Sequence, residues 1–135
     1  VIHLMLDTNI CIELLRNRAP GLLERMRKHA IDQIGISSIT FAELQYGIAK
    51  SARREQHEQT LIRFCAPLAI WPFGDQAAET YGQVRAALER EGKPIDPMDT
   101  LIAAHALSLG VTLVTNNVRE FKRVDGLRIE NWMKE

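Results

Sequence analysis

The apolar positions of this chain follow two rhythms. Short runs at 2–6 (IHLML), 33–38 (QIGISS), 68–73 (LAIWPF) and 111–115 (VTLVT) lack the regular polar alternation of a half-exposed strand. They read as strands buried on both faces, as in parallel sheets. Between them the spacing is helical. TNICIELLRN (8–17) puts Ile10, Leu14 and Leu15 on one face, and PGLLERMRKHA (20–30) has Pro20 near its start. TFAELQYGIAKS (40–51) and RREQHEQTLIRFCAPL (53–68) follow, the second stopped by Pro67. DQAAETYGQVRAALEREG (75–92) is stopped by Gly92, and DTLIAAHALSLG (99–110) by Gly110, the residue type that best tolerates a helix C-terminus. LRIENW (127–132) is a candidate last edge strand.

Strands alternating with helices predict an α/β sandwich with a mainly parallel central sheet. Several strands are separated by two helices. No internal repeat, low-complexity tract or linker interrupts the 135 residues, so 1–135 is expected to form one domain.

In an open parallel sheet, sites form at the carboxyl ends of the strands. Asp7 ends the first strand. Glu43 is expected in the first turn of the helix after the second strand, and Asp99 in the first turn of the helix that precedes VTLVT. Thr115, Asn116 and Asn117 follow that strand. Each acid has a plain structural explanation. Thr40-x-x-Glu43 fits a capping box, Asp99 in a first turn suits the helix dipole, Asp96 before Pro97 is a natural N-cap, and Asp7 could itself cap a helix. Three acids drawn to one rim from distant parts of the chain point instead to a site. Gathered carboxylates repel unless one is protonated or a cation joins them. Mg²⁺ or Mn²⁺ takes oxygen ligands, keeps waters and bridges to phosphate. The chemistry implied is metal-assisted attack of water on a phosphodiester.

The apolar fraction of 46% and charged fraction of 25% are ordinary for a globular chain. Formal net charge is zero, so a polyanion would need a local basic patch. Candidates are Arg25, Arg27 and Lys28, then Lys50, Arg53 and Arg54, then Arg85, Arg90 and Lys93, although solvated helix faces explain most of them. Cys11 and Cys65 sit in apolar helical patterns with no zinc spacing and read as buried thiols, which suits a reducing cytoplasm. His3, His29, His57 and His105 are scattered, and His105 reads as packed rather than catalytic. No apolar run reaches membrane-spanning length and no signal peptide is visible, so a cytoplasmic protein without a membrane partner is expected.

MLDTNICIE, SSITFAELQYG, PIDPMDTLIAAHAL and LVTNNVREFKRVDGLRIENW, in this order, resemble the PIN-domain family and most closely its VapC ribonuclease toxins. The resemblance covers nearly the whole chain. It implies a three-layer α/β/α PIN fold and Mg²⁺- or Mn²⁺-dependent cleavage of RNA, with tRNA favoured as substrate and translation as the target. It also implies a VapB-like antitoxin, a homodimer, and operator DNA reached only through the antitoxin. The family's three acids fall on Asp7, Glu43 and Asp99, which would hold the metal, and a supporting hydroxyl falls on Thr115. Asn9 matches the polar position two after the first acid. Many PIN domains carry a fourth acid where this chain has Asn117, so a second metal should be held weakly. Asp96 stands where a small residue is common. Exposed apolar residues to hold an antitoxin helix are sought among Ile10, Leu14, Leu44 and Tyr46.

Two other classes stay open. A haloacid-dehalogenase-like phosphatase would need a second Asp where Asn9 stands. A non-catalytic RNA-binding or interaction module would have no reason to gather three acids.

Overall fold

The computed structural model describes residues 3–17 and 19–133. Its strands are β1 (Leu4–Leu6), β2 (Ile34–Ser37), β3 (Ala69–Trp71), β4 (Thr112–Val114) and β5 (Ile129–Glu130). They lie in the order β3-β2-β1-β4-β5, and every pairing is parallel. The first run is seen as a strand only over Leu4–Leu6, and Ile2 falls outside the described residues.

Alternation along β1 separates two cores. Leu4 and Leu6 pack with Ile10, Ile34, Ile36 and Val114, whereas Met5 packs on the opposite side with Ile102, Leu113 and Phe121. On the first side lie α1 (Thr8–Leu15), α2 (Pro20–Arg27), α3 (Ser38–Ala49) and α4 (Arg54–Cys65). On the second lie α5 (Asp75–Arg90), α6 (Pro97–Leu109) and α7 (Val118–Phe121). The expected three-layer α/β/α sandwich is therefore present. Its sheet has no polar face to show water because helices cover both sides.

Three local details differ from the sequence reading. Helix α3 starts at Ser38 and is capped by the Ser37 hydroxyl, which accepts from the Ile39 N–H at 3.0 Å. The Thr40–Glu43 capping box is therefore not formed, and Glu43 lies in the second turn rather than the first. Strand β2 runs into α3 without a loop, so the last strand residue takes the cap. Helix α1 ends at Leu15 instead of residue 17, where Asn17 turns into positive φ (52°). A 3₁₀ turn (Ile31–Gln33) and the four-residue α7 were not foreseen, since such short pieces show no periodicity. Among the described residues, no helix is long and apolar enough to cross a membrane.

Gly35, opposite Ala69 in the β2–β3 register, is where strand spacing depends on a missing side chain. A Cβ there would lie 2.8 Å from the Ala69 carbonyl oxygen and 2.8 Å from the Trp71 ring. Gly35→Ala is expected to destabilise by roughly 1–3 kcal/mol, the scale of overpacking. The urea midpoint should fall at constant m. An unchanged midpoint would show that the edge strand moves away freely.

Candidate active site

Parallel pairing decides which residues leave the sheet together. Leu6 lies opposite Val114. The Asp7 N–H donates to the Val114 carbonyl and the Thr115 N–H to the Glu130 carbonyl, each at 3.0 Å. Asp7 and Thr115 thus emerge at the carboxyl edge from adjacent central strands, β1 and β4. Asp7 is 2% exposed and caps α1, with Oδ1 accepting from the Ile10 N–H at 2.8 Å. The buried Thr115 hydroxyl donates to it. Burial nevertheless dominates and raises the Asp7 carboxyl to about 6, with the Glu43 charge adding to the rise and the Thr115 and Ile10 bonds opposing it. The carboxylate is a helix cap and a desolvated charge at once.

Asp99 enters from α6. Asp96 is that helix's N-cap, as expected, accepting from the Met98 N–H at 2.9 Å and the Asp99 N–H at 3.3 Å. Asp99, in the first turn of α6 as expected and half-buried, is raised to about 7. Burial is the main cause, followed by the charges of Asp96, Asp7, Glu43 and Glu120. Glu43 comes from α3 and accepts from the Thr8 hydroxyl at 2.6 Å, while that hydroxyl lies 3.2 Å from Thr40. Asp7, Glu43 and Asp99 therefore share one rim and feel one another's charge. Asn9 is exposed beside them.

The Asn117 N–H donates to the Thr115 hydroxyl at 2.9 Å, and α7 begins directly after it. Glu120, one turn further on, escaped the sequence reading. Its charge reaches Asp99, as that of Asp96 does, so a further carboxylate adds to the negative charge at the rim despite the amide at Asn117. The signal was a spacing of three from Asn117, hidden because α7 is only four residues long.

His105 is packed, as expected, at 1% exposure. Cys11 and Cys65 are free, buried thiols, and burial raises both. Of the nine basic candidates, all but the half-buried Arg25 are exposed, which fits solvated faces. Ile10, sought as an exposed groove residue, lies fully in the core, because a residue one turn into α1 faces the sheet. Leu14 packs against the same core, and Leu44 is 7% exposed. Tyr46 is 66% exposed, with the Lys50 ammonium 4.8 Å from its ring centre. A groove of about 440 Å³ does run between α1, α3 and α4, walled by Ile12, Leu15, Leu44 and Ile48, with Glu43 at its margin.

Among the described residues, no three carboxylate, imidazole or thiol groups stand close enough to cage a metal by themselves. The rim is open, and its donors are oxygens only. That suits a cation that binds through one or two carboxylates and keeps its waters, and does not suit one that needs a closed nitrogen or sulfur shell. Burial, with neighbouring negative charge adding to it, makes the ionised forms of Asp7 and Asp99 costly in the absence of a cation, so the residues fit a hard divalent ion.

The PIN domain family matches residues 4–127. The chain is 42% identical over 132 residues to the tRNA(fMet)-specific endonuclease VapC of Salmonella typhimurium, covering 98% of this chain and 99% of that protein. It is 44% identical over 133 residues to ribonuclease VapC2 of Rickettsia felis, covering 96% and 98%. Among solved structures, DNA-bound VapBC from Salmonella typhimurium superposes with a TM-score of 0.92 at 42% identity, covering 98% of this chain and 99% of that one. VapBC2 from Rickettsia felis, bound to a DNA fragment from its promoter, gives 0.91 at 40% identity, covering 97% and 99%. The family match, the whole-length identity and the superpositions agree, and a haloacid-dehalogenase-like phosphatase is set aside: the chain belongs to the PIN-domain family and, within it, to the VapC ribonucleases.

Proposed function

We propose that this chain is a metal-dependent endoribonuclease toxin that cuts tRNA, thereby stopping translation, and is silenced by a VapB-like antitoxin. The observation carrying the reading is the meeting of Asp7, Glu43 and Asp99 on one strand edge, where burial and mutual charge push Asp7 and Asp99 upward. Asp7, Asp99 and Glu43 would hold Mg²⁺ or Mn²⁺, which when bound supplies charge neutralisation and Lewis-acid polarisation at the scissile phosphate. The protein's own contribution is preorganisation. Thr115 fixes the Asp7 carboxylate, with the Asn117 N–H in turn orienting the Thr115 hydroxyl. Thr8 holds Glu43. Asp99, raised to about 7 by burial and neighbouring carboxylates, would give up its proton when the cation binds, and Glu120 adds negative charge beside it.

The relative from Salmonella typhimurium is named for tRNA(fMet), which supports tRNA as substrate here. The similar solved structures are of VapBC, and another similar structure, from Mycobacterium tuberculosis, is described as a member of the VapBC family of toxin–antitoxin systems, which supports an antitoxin partner here. An antitoxin helix laid in the α1/α3/α4 groove would reach Glu43 at the groove margin. A basic side chain there would occupy the rim in the cation's electrostatic role. The toxin is proposed to work as a cytoplasmic homodimer that reaches operator DNA only through the antitoxin.

Sequencing RNA ends after brief induction tests the reading. One dominant new 5′ end within a tRNA is expected, and it should vanish with Asp99→Asn. An unchanged end profile, or the same ends from the variant, would overturn it.

A further inference from the structure

Two buried polar side chains, one of them at the end of β2, form a joint that the chemistry above does not use. His105, in the middle of α6, is 1% exposed, and its Nδ1 lies 2.8 Å from the Ser37 hydroxyl oxygen. Ser37 is fully buried, ends β2, and caps α3 through the Ile39 N–H. The neighbouring Ser38 hydroxyl accepts from the Phe73 N–H at 3.0 Å, and the Phe73 ring meets His105 edge to face at 5.3 Å. Three segments, the β2–α3 junction, the β3–α5 loop and α6, are tied at one point.

As a device for stability the joint is poor. The His105 Nε2 is buried with no hydrogen-bond partner among the described residues, the Pro72 carbonyl being near the ring but outside good geometry. An apolar residue would avoid that penalty. Its position suggests another use. The joint pins α3 to α6, and these helices carry Glu43 and Asp99. Glu43 lies six residues beyond Ser37, a lever arm of about 9 Å at ~1.5 Å per residue, so a tilt of about 6° moves its carboxylate by roughly 1 Å. Misplacement on that scale is enough to cost roughly 100-fold in rate.

From this geometry we infer that His105 is a positioning residue: its hydrogen bond to Ser37 sets the spacing of Glu43 and Asp99 across the rim. The inference rests on the reading of the rim in the preceding subsection. Asparagine, whose amide can donate or accept near the place of Nδ1, should replace His105 in this task, whereas leucine of similar volume should not.

The test compares His105→Leu, His105→Asn and Ser37→Ala with the natural chain in tRNA cleavage, Mn²⁺ calorimetry and thermal melting. His105→Leu is expected to melt within a few degrees of the natural chain, to lose roughly 10- to 100-fold in kcat with KM for RNA nearly unchanged, and to bind Mn²⁺ several-fold more weakly. His105→Asn should stay within about threefold in both cleavage and binding. If His105→Leu does not fold, Ser37→Ala breaks the same bond from the other side together with the α3 cap and should show kcat and Mn²⁺ losses at least as large. Natural rates and isotherms in the folded bond-breaking variants, or an asparagine variant as impaired as the leucine variant, would overturn the inference. Asp99→Asn serves as the control. A cleaving Asp99→Asn would overturn the reading of the rim itself, whatever His105 does.

Discussion

Asp7→Asn is expected to abolish RNA cleavage and, at neutral pH without divalent cations, to raise the melting temperature. Both effects come from one charge. The Oδ1 of Asp7 accepts from the Ile10 N–H, and an asparagine oxygen caps as well as an aspartate oxygen, so α1 should keep its start. The charge is what the fold resists. Burial lifts the Asp7 carboxyl from 3.8 to about 6, so the folded chain binds that proton more tightly than the unfolded one. Stability linked to this group is therefore greatest below about 4, falls as pH rises through 6, and stays reduced above it. The full difference is up to about 3 kcal/mol at ~1.4 kcal/mol per pKa unit. Removing the charge should recover part of it, a gain of several degrees at pH 7. Cleavage should fall by roughly 100-fold or more, the scale of deleting one preorganised electrostatic group. Paired melting curves and cleavage assays decide the matter. A variant that melts lower yet still cleaves would show that Asp7 is only a cap.

Chelation with EDTA should stop cleavage, and Mg²⁺ or Mn²⁺ should restore it without any need for Zn²⁺. The same cations should stabilise the fold more at pH 8 than at pH 5. At pH 5 Asp7, raised to about 6, and Asp99, raised to about 7, are both largely protonated, so a cation must first displace protons. At pH 8 they are charged and crowded. The metal-free protein should accordingly lose stability from about pH 4 to 8, as each raised carboxyl gives up a proton that the folded state holds more tightly. Cation binding then returns stability by mass action, about 2.7 kcal/mol at a hundredfold excess over Kd. Melting with and without Mn²⁺ at the two pH values checks this. Cleavage that persists after exhaustive chelation, or equal shifts at both pH values, would overturn the metal assignment.

Much of this was legible in the residues. Buried runs such as VTLVT, alternating with helical spacing, carry the fold class because strand and helix periods are local. An acid at the end of a strand or the start of a helix lands on a known edge whatever its neighbours, which is why Asp7 and Asp99 could be found and Asp96 read as a cap. Glu43 was placed on the right rim for a partly wrong reason. The cap of α3 is Ser37, because β2 passes into the helix with no loop, and Thr40 serves Thr8 instead.

The chain by itself thus determined the layers, the carboxyl edge of the sheet and the acids that reach it, since each follows from a period or a junction spanning a few residues. Only the tertiary structure decided the strand order that sets Asp7 beside Thr115. It alone brought the Glu120 charge to Asp99, the Thr8 hydroxyl to Glu43, and His105 to Ser37 across 68 positions. Those meetings join residues far apart in the sequence, and a hydrogen bond or a shared field between such residues leaves no mark on the local pattern around either one.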